Sequence, residues 1–186
     1  MRGGHLQIVA CGAGPATDIS RLVEAARERS WTAAVTATAS ALAFIDVPAV
    51  EELTGSPVRT SYDASGKGRR MLPTVDALVV APATYNTVNK LALGIADTYP
   101  LTSVAELVGR GVPTVVVPFV NAALAARTPF QRAVASLRTE GVRVLCGPGD
   151  GWEPHPPGTG ADQQAVFPWW VAFQTAEEMA GRRVHR

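Results

Sequence analysis

The 186-residue sequence predicts an α/β fold with one parallel β-sheet covered by helices on both faces. Three observations carry this. Candidate strands alternate with candidate helices along the chain. The strands are continuous apolar runs, as strands buried on both faces are. Neither an internal repeat nor a linker divides the sequence, so residues 1–186 read as a single domain, long enough for a real core.

The elements follow in order. "LQIVAC" (Leu6–Cys11) reads as a strand ending in the Gly-rich turn "GAGPATD". "DISRLVEAARERS" places Ile19, Leu22, Val23 and Ala26 at helical spacing, with Asp18 expected to cap the helix or add charge to its first turn. "WTAAVTATAS" is a second strand, and "ALAFI" and "VPAVEELTG" are short helical pieces. Ser56 to Arg70 is a polar, Gly-rich loop. "VDALVVA" is a third strand, and it runs into "PATYNTVNKLALGIAD", a helix start rich in small and hydroxylated residues. "SVAELVGRG" is a helix closed by glycine, "VPTVVVPFV" a fourth strand, "PFQRAVASLRTEG" a helix closed by Gly141, and "VRVLC" a fifth strand. "GPGDGWEPHPPGTGADQ" is a second long loop, and "VFPWWVAFQTAEEMAGRR" holds a final helix.

Composition excludes several classes. With 47% hydrophobic and 18% charged residues the chain is globular, not disordered. A net charge of +1 without a basic run gives no reason to expect nucleic acid. The basic end "GRRVHR" reads as a frayed helix terminus. Cys11 and Cys146 lie far apart and form no CxxC pair, so no metal is expected. The first apolar run is too short for a signal peptide and no run has membrane-spanning length, so a cytoplasmic protein without membrane attachment is expected.

In a parallel sheet, ligands bind outside the carboxyl ends of the strands. The turns there share a composition: "GAGPAT", "TATAS", "PATYNT" and "PFVN". Small residues let the backbone approach a ligand closely, and helix starts offer N–H groups to an anion. The spacing matches neither GxGxxG nor a P-loop, so the turns predict a phosphate cradle but not a dinucleotide site.

"APATYNTVNKLALGIAD" resembles the "PASANT…NK…GI.DNLL" motif of the flavin-containing cysteine decarboxylase family. That family includes phosphopantothenoylcysteine decarboxylase and the lantibiotic peptide decarboxylases. Pro82, Ala83, Asn86, Thr87, Asn89, Lys90, Gly94, Ile95 and Asp97 match. "LQIVACGAGPATDISRLVEAA", "AAVTATASALAFI" and "VPFVNAALAARTPF" are similar to the family's other segments in the same order, so the likeness runs from Leu6 to Gly151. The resemblance implies a three-layer αβα flavodoxin-like (Rossmann-like) fold that binds FMN at a contact between subunits of a trimer. It implies cofactor contacts from Gly12, Ala13 and Gly14, from Thr36, Ala37 and Thr38, from Thr84, Tyr85, Asn86 and Thr87, and from Val120. Asn121 stands where the family has a residue that contacts the substrate carboxylate, and is the one catalytic candidate.

The sequence also departs from the family. The histidine expected before the third strand falls, counted back from Pro82, on Gly68, with Arg69 and Arg70 beside it. Arginine stays protonated and cannot exchange a proton near neutrality, although it can bind a carboxylate. Phosphopantothenoylcysteine decarboxylases use a cysteine in a flap, but Cys146 matches the end of the strand before it and reads as a buried apolar residue, as does Cys11. His155, in "WEPHPPG", reads as an exposed loop residue that could reach a neighbouring site. Trp152 could cover a flavin ring or pack, whereas Trp169 and Trp170 are expected to pack the final helix. Asp63, Lys67 and Glu153 read as solvated charges.

The expected function is therefore redox or decarboxylation chemistry on a small-molecule or peptide thiol, by a homo-oligomer with FMN. The rival reading is a non-catalytic flavin-binding or partner-binding protein that keeps the fold.

Overall fold

The computed structural model describes residues 3–62 and 74–184. Gly68, Arg69, Arg70, Asp63 and Lys67 lie outside the described residues.

Five parallel strands form one sheet in the order β2-β1-β3-β4-β5: β1 (His5–Ala10), β2 (Thr32–Ala37), β3 (Ala77–Ala83), β4 (Thr114–Pro118) and β5 (Arg143–Val144). This is the flavodoxin-like order. Alternation along each strand splits the apolar residues into two cores. Leu6, Ile8, Val35, Val79 and Val117 face one side, where α1 (Ser20–Glu28) and α8 (Trp169–Val184) cover them with Leu22, Val23 and Phe173. Val9, Leu78, Val80 and Val116 face the other, under α3 (Tyr85–Ala92), α4 (Tyr99–Gly109) and α6 (Thr128–Thr139), which contribute Val88, Val104, Phe130 and Leu137. α2 (Val47–Thr54) packs beside β2, capped by Asp46, whose carboxylate accepts from Ala49 N at 3.2 Å, and closed by Gly55 at φ 66°.

Three local expectations are corrected. Asp18 does not cap α1; it ends a 3-10 turn (Gly14–Asp18) that precedes the helix, and Ile19 occupies the cap. The loop after β5 contains two further pieces of order: α7 (Gly160–Ala165), and a one-residue parallel bridge between Asn121 and His155. β5 itself is short. Leu145 N still reaches Val116 O at 2.9 Å, but Cys146 N turns to the Asp150 carboxylate at 3.1 Å. Asp150 is in turn held by Arg138 at 2.7 Å and Arg143 at 2.9 Å.

Among the described residues no helix is long and apolar enough to cross a membrane.

Candidate functional site

In the 2-1-3-4-5 order the chain reverses direction across the sheet between β1 and β3, which opens a crevice at their carboxyl ends. The sequence-predicted turns meet there. Cys11 N donates to Pro82 O at 3.1 Å, and the Thr87 hydroxyl donates to the Cys11 sulfur at 3.3 Å. Thr38 N donates to Ala10 O at 2.9 Å, which joins the β2 turn to the same edge, and Phe119 N donates to Ala83 O at 2.8 Å, which joins the β4 turn. Gly12 lies so close to the β2 turn that a Cβ there would sit 2.7 Å from the Ser40 side chain. Its lack of a side chain is what lets these two turns touch.

The predicted contacts divide by where their polar groups go. Thr84 caps α3 by accepting from Thr87 N at 3.2 Å, and its hydroxyl lies 3.0 Å from the Thr87 hydroxyl. With Thr87 donating to Cys11, both hydroxyls are committed inside the protein. Thr36 is buried and accepts from the Gln7 amide at 3.2 Å, and Ala37 is buried in the core. The Tyr85 ring stacks on Phe130 at 5.6 Å. Val120 is buried. Asn86 is exposed and its side chain makes no hydrogen bond among the described residues. The first backbone bond of α3 runs from Val88 N to Thr84 O, so the N–H groups of Tyr85 and Asn86 lie ahead of it and face outward from the helix end. The groups offered to a ligand at this edge are thus Asn86 and the first N–H groups of α3, whereas Ala13 N donates to Cys11 O and Ala13 O accepts from Ala16 N, which commits that backbone inside the turn.

Burial raises the Cys11 thiol pKa; hydrogen bonds from Thr87 and from the Thr84 backbone oppose this but do not overcome it. Cys11 is therefore a protonated, buried packing residue, as the sequence suggested. Cys146 is corrected from buried to half-buried, with its thiol pushed up to about 11, mainly by desolvation.

Asn121 caps the short helix α5 (Ala122–Ala125): its Oδ1 accepts from Leu124 N at 3.0 Å, which leaves its amide NH2 without a partner among the described residues. Beside it lies His155, which the sequence placed in an exposed loop. The backbone bridge carries it inward: His155 N donates to Val120 O at 3.3 Å, and Ala122 N donates to His155 O at 2.7 Å. The imidazole is buried against Phe119, with ring centroids 5.0 Å apart. Trp152 is buried in an aromatic group with Phe119 and Phe167, and its indole N–H donates to Pro118 O at 2.8 Å. Trp169 is buried as expected, whereas Trp170 is 44% exposed. α7 lies over the first turn: the Gln164 amide donates to Thr17 at 2.8 Å and fills the space above Gly14.

A family model described as Flavoprotein matches residues 1–161. The chain belongs to the flavoprotein family. Dihydromethanopterin reductase (acceptor) from Methanosarcina mazei is 51% identical to it over 51 residues, 27% of this chain and 21% of that protein, so the match spans about a fifth of the relative's length. Among solved structures, the cypemycin decarboxylase CypD is similar with a TM-score of 0.71 and 21% identity, covering 97% of this flavoprotein and 95% of CypD. The FMN-dependent cysteine decarboxylase TvaF from thioviridamide biosynthesis is similar with a TM-score of 0.68 and 24% identity, covering 96% and 98% of the two chains. At these identities the structural likeness establishes the fold.

Proposed function

We propose that this flavoprotein binds FMN in the crevice between β1 and β3 and acts on a small-molecule or peptide thiol. The observation that carries the reading is the meeting of the Cys11–Gly14 and Pro82–Thr87 turns at the switch point, joined through Thr87 and Cys11. The residues fit the group. The first N–H groups of α3 and the Asn86 amide suit an anionic phosphate at a helix start. When bound, the flavin would supply two-electron redox chemistry. Asn121, through its uncommitted NH2, would hold a substrate carboxylate at the neighbouring β4 turn.

The edge is open to solvent at Asn86, and a second copy of the chain completing the site accords with the trimer-based homo-oligomer the family resemblance implies. Sedimentation of the flavin-loaded protein as a monomer at micromolar concentration would refute that assembly. A cytoplasmic location belongs to the same reading.

Two measurements test the function. Equilibrium dialysis should show FMN bound more tightly than FAD or NAD, and the reverse order would reject the cofactor. Peptides ending in cysteine, incubated with the flavin-loaded protein, should lose two hydrogens and CO2 by mass spectrometry if oxidative decarboxylation is the reaction.

A second reading has one specific observation in its favour, the 51% identity over 51 residues to a protein named as a reductase. On that reading the flavin passes electrons to a small acceptor and no carbon dioxide is released. Flavin that is reoxidised by added acceptors while every cysteine peptide stays intact would select it. If FMN stays bound and neither reaction occurs, the chain is the non-catalytic flavin binder.

A further inference from the structure

We propose that His155 is the proton acceptor that ionises a thiol ligand held between the 149–156 segment and α7. The inference rests on the thiol reading above, and it assigns a residue and a binding place that the family motif does not reach.

Three observations carry it. First, the parallel bridge pairs the backbone of His155 with that of Asn121, so a titratable side chain is tied next to the carboxylate-binding candidate. Second, the ring is fixed. It packs on Phe119 at 5.0 Å, and a Cβ at Gly160, the first residue of α7, would lie only 3.5 Å from its Cε1. Its Nδ1 lies 3.0 Å from Pro156 O. A carbonyl only accepts, so Nδ1 carries the proton and Nε2 keeps its lone pair. Third, the imidazole lines an open cavity of about 600 Å³ together with Trp152, Glu153, Gln163 and Val166. That volume suits a small ligand.

The chemistry is a single proton transfer. The ligand S–H bond breaks, a bond forms between that proton and Nε2, and the electron pair stays on sulfur as a thiolate. The imidazolium keeps its Nδ1–H bond to Pro156 O. A free thiol ionises near about 8.5 and an unperturbed imidazole near about 6.5, close enough for transfer in a site that favours the ion pair. Among the described residues that line the cavity, Glu153 is the one other titratable group. As a carboxylate it favours the imidazolium and opposes the thiolate, so the Glu153→Gln variant separates its influence from that of His155.

The test uses the full chain incubated with FMN and a tripeptide ending in cysteine, with its serine counterpart as control. Nitrogen NMR of the wild type should show His155 as the Nδ1–H tautomer. The acid dissociation constant of the bound thiol, followed by thiolate absorbance against pH, should exceed that of the free peptide at least about tenfold. It should return to the free value in His155→Gln and stay raised in Glu153→Gln. Finding the Nε2–H tautomer, finding no binding of the cysteine peptide to the wild type, or finding an equally acidic thiol in His155→Gln would overturn the proposal. The tautomer is read on the wild type and decides even if the variant fails to fold. Flavin retention is scored separately: loss of FMN from every protein rejects the cofactor reading, while the tautomer and thiol results still judge His155.

Discussion

Thr87 donates its hydroxyl to the sulfur of Cys11 at 3.3 Å, and this contact ties the turn after β1 to the turn after β3. The same hydroxyl lies 3.0 Å from that of Thr84, which caps α3. The family resemblance assigns both threonines to the ligand, and the geometry gives each of them a scaffold role as well. Thr87→Val and Thr84→Ala should therefore each cost about 1 kcal/mol of stability. The double variant should cost less than the sum, because the two share one chain of bonds. Urea denaturation of the apo-protein checks this, and additive losses would mean the hydroxyls act separately.

Asn86 should behave in the opposite way. It is exposed and its side chain makes no hydrogen bond among the described residues, so Asn86→Ala should leave the apo-protein's melting temperature unchanged. If the FMN reading is right, its affinity should fall about five- to tenfold, as the loss of one hydrogen bond of about 1 kcal/mol predicts. Fluorescence titration of FMN measures it, and an unchanged dissociation constant would move the cofactor away from α3.

His5 gives the fold a pH dependence of predictable sign. Burial lowers its pKa from the ordinary 6.5, against a smaller upward pull from Asp76. The folded state thus prefers neutral imidazole. Its contribution is fully present above pH 6.5 and declines as pH falls below that value toward the lower folded pKa. His5 Nδ1 lies 2.8 Å from the Thr32 hydroxyl, so His5→Gln retains a polar partner there. Urea midpoints compared at neutral and mildly acidic pH should fall less in the variant than in the wild type. Equal falls would place the acid sensitivity elsewhere.

The two cysteines should differ in reactivity. Cys146, half-buried with its thiol near 11, should resist iodoacetamide at neutral pH and react as the solution becomes strongly alkaline. Cys11 is buried with its pKa also raised, and should be modified only after unfolding. Peptide mass spectrometry after timed alkylation distinguishes them. Rapid labelling of native Cys11 at neutral pH would contradict its burial.

The sheet was legible because its strands are short apolar runs bounded by turn residues, and the switch-point edge because four such turns share small and hydroxylated residues. Most of what escaped lies after β5. "GADQQA" has no apolar face, so α7 is held by tertiary contacts such as Gln164 to Thr17, which leave no periodic trace. "WEPHPPG" looks like exposed loop because prolines punctuate it, yet one backbone bridge to Asn121 buries His155. The shortness of β5 depends on Asp150, whose carboxylate takes Cys146 N out of the ladder. That competition is between a side chain and a strand partner, and composition cannot show it. The roles of Thr84 and Thr87 escaped for a related reason. A hydroxyl at a helix start serves a ligand or the scaffold equally well, and the scaffold bond depends on Cys11 lying within reach of Thr87, which the sequence does not display.

The amide of Gln164 rests over Gly14 and bonds Thr17 from 147 positions further along the chain. During synthesis the amino-terminal residues emerge first. The first turn must therefore wait, uncovered, until the chain has left the ribosome as far as Gln164. A nascent chain halted just before Gln164 would present that glycine turn bare, and one that extends through α8 would have it roofed. Completion of the cradle thus comes after all five strands of the sheet have been made.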